Sequence, residues 1–360
     1  MTDRINVFAI AWHVGNQYEQ LKLARNYPVK FHYLVNNNRR WTEYSARPVP
    51  DSWLNKDQFE WVYEYEPGKY DLAILNLDQQ CTDPRIGKGK LYRDLNSLIT
   101  DIPKIVINHG SPMWDEMFDE DTVINGGRIQ VGQDEYVEME GMRKLIGDNF
   151  MITNSYNAVR RWGWGYPLIH GLDENEWWDL PKEPRASISL SPAGLDKYYN
   201  RRLLSEIKAG LAERTGHILQ QANVEYKLDY GNNWDVYRDF MGRSLIGVYM
   251  MKDSPMPRSR TEAMLSGQCV LSSRYHDADM YIENGVNGFI LPDNPLSYIE
   301  TIEQLINFNY RKAVEIGQNA KATARKYFNI ERYQRDFYFI LNEVANGRKP
   351  VWDGKVIYED

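Results

Sequence analysis

The chain has 360 residues and a formal net charge of −7, which is enough sequence for about two domains of ordinary size. The negative charge disfavours a strongly basic nucleic-acid-binding surface, and no apolar run approaches the roughly 20 residues that a membrane-spanning helix requires. The first residues are typical of a β-strand and lack the cleavage pattern of a signal peptide. Two widely separated cysteines, Cys81 and Cys269, have no metal-ligand spacing, so a reducing, cytoplasmic setting is expected.

Short apolar or β-branched segments alternate with helical patterns along the first half of the chain. The predicted strands of this half are Ile5–Ile10, Val29–Val35, Leu72–Leu75, Lys104–Ile107 and Phe150–Thr153. Strands that alternate with helices indicate a parallel sheet that is covered on both faces.

The same alternation restarts after Leu180–Ala186, a charged segment with two prolines that is typical of a linker. Strands are predicted at Ser187–Leu190, Val224–Leu228, Leu245–Met250, Cys269–Ser272 and Gly288–Leu291, and helices at Asn200–Arg214, Trp234–Met241, Ser259–Leu265 and Pro295–Phe308. The sequence therefore predicts two Rossmann-like α/β domains in tandem. Such sheets bind ligands outside the carboxyl ends of their strands, and the cleft between the two domains is the expected site.

Two strand ends of the first half carry candidate site residues. His13, Gly15 and Asn16 lie where the first strand turns into a helix, and glycine there lets a ligand approach the backbone. A plain strand-to-helix turn explains these residues equally well, and the absence of G-x-G-x-x-G disfavours a dinucleotide site. His109 follows the fourth strand and is placed at the same edge, where it can donate or accept a hydrogen bond near neutral pH.

The second half offers a set of cations. Lys197 and Arg201 are one helical turn apart and, with Arg202, could bind a diphosphate. A solvated basic helix start fits the same pattern.

The stretch "PMPRSRTEAML" is the most informative segment of the chain. Ser259 and Glu262 have the spacing of a helix capping box. Arg258 and Arg260 oppose the helix dipole at that end, but together with the backbone N–H groups they could hold an anion. Glu262 could then accept hydrogen bonds from ribose hydroxyls.

The segment that follows carries a resemblance to a known family. "TEAMLSGQCVLSSRYHDADMYIENGVNGFILPDNPLSYIETIEQL" resembles the donor-binding half of the retaining "group 1" glycosyltransferases of the GT-B fold, with its Glu-Ala-Met, Asn-Gly-x-x-Gly and Pro-Asp motifs. The resemblance covers about residues 150–345 in motif and the first half in architecture. It implies an acceptor-side domain at 1–172, a donor domain at 173–328, and a C-terminal helix and tail at 329–360 that return to the first domain.

The resemblance also implies roles for single residues. Glu262 would bind the nucleotide ribose, Lys197 would neutralise the diphosphate, and His109 would reach the donor sugar. The implied catalytic set is His109, Lys197 and Arg258; the donor-binding set is Glu262, Arg201, Ser259, Arg260, Gly15 and Ser254; the acceptor-side residues are His13 and Asn16.

Two positions depart from the family pattern. Ser254 stands where the family commonly has a glutamate that contacts the donor sugar, and Asp253 could take its place. Pro192 stands where the family has an arginine, whose charge Arg258, Arg201 or Arg260 could supply.

The activity implied is transfer of a sugar from a nucleotide-diphosphate donor, with UDP favoured over GDP, to an acceptor hydroxyl with retention of anomeric configuration. Preformed cations and dipoles would stabilise the leaving group, so neither a cofactor nor a metal is expected, and the acidic triplets Asp119–Asp121 and Asp277–Asp279 are not assigned to one. Two alternatives stay open: a nucleotide-sugar epimerase or hydrolase of the same fold, and a non-catalytic two-lobed sugar-binding protein. The acceptor could be a saccharide, lipid, protein, metabolite or modified base.

Overall fold

The computed structural model of the chain describes residues 4–10, 12, 14–35, 57–82, 87–112, 133–189, 200–221, 234–251 and 256–359. The chain divides into two compact units: unit 1 is Met1–Ile169 with Gln334–Lys355, and unit 2 is His170–Tyr333 with Val356–Asp360. The divisions drawn from the sequence lie at 172 and 328. The last residues, Val356–Asp360, group with unit 2, whereas the sequence-based division assigns the whole tail to the first domain.

Unit 1 contains a seven-stranded parallel sheet with the strand order β3-β2-β1-β4-β5-β6-β7. Its strands are β1 Ile5–Ile10, β2 Val29–Leu34, β3 Phe59–Val62, β4 Leu72–Leu77, β5 Lys104–Asn108, β6 Phe150–Thr153 and β7 Tyr166–Pro167. Its helices are α1 Val14–Asn26, α2 Lys90–Leu98, α3 Gln133–Ile146, α4 Tyr156–Trp162 and most of the C-terminal helix α11 Ile330–Ala345. All five strands predicted in this half are present.

The core of unit 1 lies against the central strands of this sheet. All six residues of β4 are buried, and Phe8, Leu75, Val106 and Trp162 belong to one cluster of buried side chains. Parallel strands covered on both faces must be apolar on both faces, which explains why short continuous apolar runs revealed them in the sequence.

Unit 2 contains a five-stranded parallel sheet with the strand order β12-β11-β10-β8-β9. Its strands are β8 Glu183–Ile188, β9 Gln220–Gln221, β10 Ser244–Tyr249, β11 Cys269–Ser273 and β12 Phe289–Leu291. The helices are α5 Arg201–Thr215, α6 Trp234–Arg243, α7 Arg258–Leu265, α8 Ala278–Tyr281, α9 Pro295–Glu303 and α10 Tyr310–Tyr327, with a π-helical turn at Gln304–Phe308. The predicted strand Val224–Leu228 lies outside the described residues.

The linker predicted at Leu180–Ala186 is wrong. Its second half is the start of β8, where Glu183 and Ala186 pair with β10. The ammonium group of Lys182 is buried and donates to the carbonyl oxygens of Gly242, at 2.6 Å, and Ser266, at 2.5 Å. The first residues of β8 include a proline and charged side chains and are exposed or partly exposed, and only its last three residues are buried. This exposed start resembles a linker in sequence.

The strand order reverses once in each unit. In unit 1 the chain builds outward from β1 to β2 and β3 and then continues with β4 on the other side of β1; in unit 2 the corresponding neighbours are β8 and β10. Loops diverge at such switch points and leave a crevice at the carboxyl ends of the strands, where ligands of open parallel sheets bind. The two switch points are therefore the places to look for functional side chains.

Helix α10 packs against α7 and β11, and Gly317 is the closest point of that packing. A methyl group at this position would collide with the carbonyl oxygen of Gly267 and lie 3.2 Å from the backbone nitrogen of Cys269. We expect Gly317→Ala to lower the free energy of unfolding by about 2 kcal/mol, because overpacking against backbone outweighs the helix propensity of alanine. Chemical denaturation measures this.

The matched control is Gly141→Ala in α3, where the nearest atom to the added methyl group is the Thr82 Cβ at 3.6 Å. There the propensity gain should be realised, with stability unchanged or raised by about 0.5 kcal/mol. Equal effects of the two substitutions would contradict the packing described for Gly317.

Candidate functional site

At the switch point of unit 1, His109 is held by a buried asparagine of the neighbouring strand. The Nε2 atom of His109 lies 2.8 Å from the Oδ1 atom of Asn76, and the Nδ2 atom of Asn76 donates to the carbonyl oxygen of Ile10 at 2.8 Å. Since the amide nitrogen is committed to Ile10, the amide oxygen must face the imidazole. Nε2 of His109 is therefore the protonated nitrogen, and Nδ1 is the acceptor nitrogen of the neutral ring.

One ring contact and one backbone hydrogen bond further hold His109. The Trp12 indole stacks on the imidazole with ring centroids 5.6 Å apart and planes within 1° of parallel, and the backbone N–H of His109 donates to the carbonyl oxygen of Leu77 at 2.9 Å. The next residue, Gly110, has a packing explanation, because a Cβ there would lie 2.9 Å from the backbone nitrogen of Gln79. Of the predicted His-Gly pair, only the histidine therefore offers a chemical group to a ligand.

The first turn of α1 lies at the same edge of the sheet. Gly15 and Asn16 are both half-buried there, and His13 lies outside the described residues. In the same turn Gln17 is 1% exposed, and neither atom of its amide has a hydrogen-bond partner among the described residues. Buried amides are normally paired, so this glutamine is a candidate for contact with a ligand or a water molecule.

At the switch point of unit 2, three buried side chains from different parts of the chain form two consecutive hydrogen bonds. The Tyr237 hydroxyl of α6 donates to the Oε2 atom of Glu262 in α7 at 2.9 Å. The Ser189 hydroxyl, just after β8, lies 2.8 Å from the Tyr237 hydroxyl oxygen, and since Tyr237 gives its proton to Glu262, Ser189 must donate to Tyr237. Burial first, and then the nearby Glu262 charge, raise the pKa of Tyr237 well above its usual value, so the phenol stays a neutral donor.

The other oxygen of Glu262 faces a cation. Its Oε1 atom lies 3.4 Å from the Nε atom of Arg258, in side chains that are 10% and 20% exposed. The carboxylate is thus anchored on both oxygens, with its position set by α6 on one side and by the first turn of α7 on the other.

The predicted capping box of Ser259 and Glu262 is wrong. Helix α7 begins at Arg258 with Pro257 as its N-cap and no side-chain cap. Glu262 is therefore the fifth helical residue, too far along to reach back to the cap, and Ser259 accepts a hydrogen bond from the Tyr249 hydroxyl through its carbonyl oxygen at 2.9 Å. Glu262 is left with the contacts to Tyr237 and Arg258 rather than a capping role.

The predicted donor-binding role of Arg260 needs correction. Arg260 is 0% exposed, and its guanidinium donates to the Ser272 hydroxyl at 2.8 Å and to the hydroxyl of Tyr281. Residues that are two positions apart on a helix point to different faces. Arg258 therefore lies beside Glu262, while Arg260 is enclosed in the interior of unit 2. We assign Arg260 a structural role.

The remaining predicted cations are placed only in part. Arg201 is exposed at the first position of α5, whose N-cap Asn200 accepts from the backbone N–H of Leu203 at 3.1 Å. The backbone N–H of Asn200 donates to Met250 at 3.4 Å, which ties the start of α5 to the carboxyl end of β10. Lys197 and Ser254 lie outside the described residues.

Neither a metal cluster nor a membrane span is found in the described part of the chain. No group of three or more His, Cys, Asp or Glu residues is arranged there to hold a metal ion, and no described helix is both long and apolar enough to cross a membrane. Of the two acidic triplets, Asp119–Asp121 lies outside the described residues, and Asp277 in the other is fully buried.

Asn76, Gln17 and Tyr237 were missed by sequence reasoning. Asn76 is 33 positions from His109 and Tyr237 is 25 positions from Glu262, and no local spacing reveals such pairs. The only usable signal was a polar residue inside the otherwise apolar β4 run "LAILNL".

Comparison with known proteins bears on this arrangement. No protein-family model matches the chain. An uncharacterised glycosyltransferase of Methanocaldococcus jannaschii is 30% identical over 170 residues, which are 47% of this chain. The matched segment spans 40% of the archaeal protein's length.

Solved structures match over nearly the whole chain. Sucrose-phosphate synthase from Thermosynechococcus elongatus superposes with a TM-score of 0.63 at 11% identity, covering 96% of this chain and 100% of that one. Anabaena HepE in complex with UDP-glucose gives 0.62 at 15% identity, covering 94% and 100%, and a glycosyltransferase from Rickettsia africae gives 0.55 at 11% identity, covering 95% and 98%. At these identities the likeness shows the fold, and the GT-B glycosyltransferase fold predicted from the sequence is confirmed.

The structural role of Arg260 is testable. Arg260→Gln removes the guanidinium that bonds Ser272 and Tyr281 inside unit 2, and we expect it to lower the free energy of unfolding by about 3 kcal/mol. Arg274→Gln is the control, since that side chain is 75% exposed and should change stability by less than about 0.5 kcal/mol. Urea denaturation followed by tryptophan fluorescence distinguishes them, and a stable Arg260→Gln protein would return Arg260 to the ligand-binding candidates.

Proposed function

We propose that this chain is a glycosyltransferase that moves a sugar from a nucleotide-diphosphate donor to an acceptor hydroxyl, with retention of configuration and without a metal ion. The observation that carries the proposal is the anchored carboxylate of Glu262 at the switch point of unit 2, beside Arg258. The similarity to an archaeal glycosyltransferase and the fold shared with glycosyltransferase structures support it.

Glu262 is assigned to the ribose of the donor. A carboxylate accepts about four hydrogen bonds, so Glu262 can accept from the Tyr237 hydroxyl and from ribose hydroxyls together. Holding the acceptor oxygens in place before the ligand arrives lowers the entropic cost of binding. Tyr237 is therefore a positioning residue, which acts on the ribose only through Glu262.

Arg258 is assigned to the diphosphate, together with Arg201 and Lys197. Arg258 lies in the first turn of α7, where backbone N–H groups and the helix dipole favour an anion. The hydrogen bond between Asn200 and Met250 supports the inclusion of Arg201, because it brings the start of α5 to the carboxyl end of β10. A cationic surround of this kind stabilises a leaving diphosphate without a metal ion.

The chemical step follows from the resemblance. The bond between the anomeric carbon and the diphosphate oxygen breaks, the acceptor oxygen bonds to that carbon from the same face, and a diphosphate oxygen takes the acceptor's proton. In unit 1 we assign His109 to a sugar hydroxyl, with Nδ1 as acceptor in the neutral ring, and Gly15 to the donor, while His13 and Asn16 serve the acceptor side.

UDP is the proposed nucleotide. The support is the fold shared with HepE, which was solved in complex with UDP-glucose. We further propose a reducing, cytoplasmic setting, which the buried thiol side chains of Cys81 and Cys269 support.

Two alternatives predict different products. An epimerase or hydrolase of this fold would convert the donor with no acceptor present, and a sugar-binding protein would convert nothing. Incubation with UDP-glucose alone, followed by NMR of the sugar, distinguishes an epimerase or hydrolase from a transferase. Conversion that occurs only when an acceptor is added distinguishes a transferase from a sugar-binding protein, and the anomeric coupling of the transferred sugar reports retention.

The donor site is tested by thermal stabilisation with UDP in the presence of EDTA. A ligand at 100 times its dissociation constant stabilises the native state by about 2.7 kcal/mol. We expect UDP to raise the melting temperature, and Glu262→Gln to weaken UDP at least tenfold because the charged acceptor is lost. Glu213→Gln, an exposed position of α5, is the matched control and should bind UDP normally.

Stabilisation by GDP or ADP in place of UDP would correct the base, and a strict need for magnesium would overturn metal independence. No response to any nucleotide diphosphate would overturn the transferase proposal as a whole.

The positioning role of Tyr237 gives a second test. Tyr237→Phe removes the hydroxyl that donates to Glu262 and accepts from Ser189, and we expect the dissociation constant of UDP to rise about tenfold, in line with one hydrogen bond to a charged group. The control is Tyr63→Phe, at a side chain that is 82% exposed. If a folded Tyr237→Phe protein bound UDP as tightly as the parent, the carboxylate would not depend on this contact.

A further inference from the structure

A cavity lies in unit 1, at the edge of the sheet opposite to His109. Its volume is about 530 Å³, and it opens between the start of β6, the loop after α4 and residues 349–352. A volume of this size is in the range of small-molecule sites. Phe150 and Met151 of β6 line the cavity, and the carboxyl end of β6 at Thr153 lies two residues, roughly 7 Å of strand, beyond Met151.

The indole rings of Trp164 and Trp352 line this cavity, and each is held by contacts with other side chains or with the backbone. Trp164 carries the Arg143 guanidinium 4.1 Å from its ring centroid. Trp352 packs on Tyr156 with centroids 5.5 Å apart and donates its Nε1 hydrogen to Lys355 at 2.8 Å. Fixed aromatic walls offer a large apolar contact without a further loss of side-chain entropy on binding.

The charge of the cavity has one sign. Arg160 and Lys349 are its charged lining residues, and no carboxylate is found among the described residues that line it. The Arg160 guanidinium lies 5.7 Å from the Trp352 ring centroid, and the Lys349 ammonium is held by the carbonyl oxygen of Asp148. An anionic group on a ligand would therefore meet two cations beside an aromatic face.

The backbone gives the cavity its shape. Gly163 ends α4 with a φ of +76°, and Gly165 has a φ of +106°. A Cβ at Gly165 would lie 2.7 Å from the Met151 Cε. The loop that presents Trp164 thus depends on two left-handed residues that other amino acids would strain.

We propose that this cavity binds an acidic saccharide, as a second carbohydrate site separate from the donor and acceptor groups of the transferase. The apolar C–H face of a uronic acid ring would pack on Trp352 or Trp164, and its carboxylate would pair with Arg160 and Lys349. The choice of a saccharide over other anions that have an apolar face rests on the proposed function. The need for an apolar face and a negative charge rests on the cavity alone.

The test uses trigalacturonate and the neutral trisaccharide maltotriose, titrated calorimetrically into the full chain without nucleotide. We expect trigalacturonate to bind at least tenfold more tightly than maltotriose, and to weaken with added salt. Trp352→Ala should weaken trigalacturonate at least tenfold, and the double variant Arg160→Gln/Lys349→Gln should remove the preference for the acidic ligand. Lys90→Gln, at a side chain that is 74% exposed and does not line the cavity, is the control for the loss of a surface cation elsewhere.

UDP stabilisation, measured on the same variants, separates this inference from the proposed function. Unchanged UDP binding with lost trigalacturonate binding supports a second site. Absence of trigalacturonate binding, or binding that none of the cavity variants alters, overturns it even where UDP binds. Trigalacturonate binding without any UDP response would instead overturn the transferase proposal and leave the cavity site in place.

Two other ligand classes are also outcomes that overturn the proposal. ATP or phosphatidylglycerol vesicles are titrated in parallel. If either bound more tightly than trigalacturonate and was lost in the same variants, the cavity would belong to a nucleotide or to a lipid surface. The double charge variant keeps the test decisive if Trp352→Ala fails to fold, since both of its substituted side chains are exposed.

Discussion

Parallel strand pairing decides where the polar groups of this protein can act. Every strand of a parallel sheet ends at the same edge, and the order of strands reverses beside β1 in unit 1 and beside β8 in unit 2. At both reversals the chain places buried polar side chains that are hydrogen-bonded to neighbouring elements: Asn76 with His109, and Tyr237 with Glu262. Apart from Asn76, β4 consists of apolar residues, all of them buried, as expected for a central parallel strand that is covered on both faces.

The helix α7 shows how one short segment serves both the fold and the candidate site. Arg258 and Arg260 differ by two positions, and this difference sends one guanidinium to Glu262 and the other into the interior beside Ser272. A buried guanidinium is tolerated only where its hydrogen bonds are made. The interior contacts of Arg260 thus fix the rotation of α7 about its axis, and that rotation sets the direction in which Arg258 and Glu262 point.

The success of sequence reasoning followed the range of the interactions involved. Nearly continuous apolar runs revealed β1, β4 and β6, because consecutive residues of a parallel strand are buried on opposite faces of the sheet. Strands β7 and β9 have two residues each, too few for a pattern, and β3 contains Glu60 and is only partly buried at its two central positions. The capping box failed because α7 starts at Arg258. The family motif located Glu262, but Tyr237 and Asn76 act through contacts that only the folded chain creates.

The segment His170–Asp173 lies where the chain passes from unit 1 into unit 2. The chain enters unit 2 at His170 and leaves it after Tyr333, and the two ends are joined within unit 2: Leu172 forms a bridge with Asn329, and Arg332 donates to the His170 carbonyl oxygen at 3.0 Å.

The His170 ring adds a contact with α7. Its Nε2 atom lies 2.9 Å from the Thr261 hydroxyl, and Thr261 immediately precedes Glu262. Together with the contacts to Asn329 and Arg332, this hydrogen bond anchors the segment to unit 2. Any bending of the chain near this passage must therefore lie outside the bonded residues, or else break the hydrogen bond to Thr261 and disturb the helix that carries Glu262.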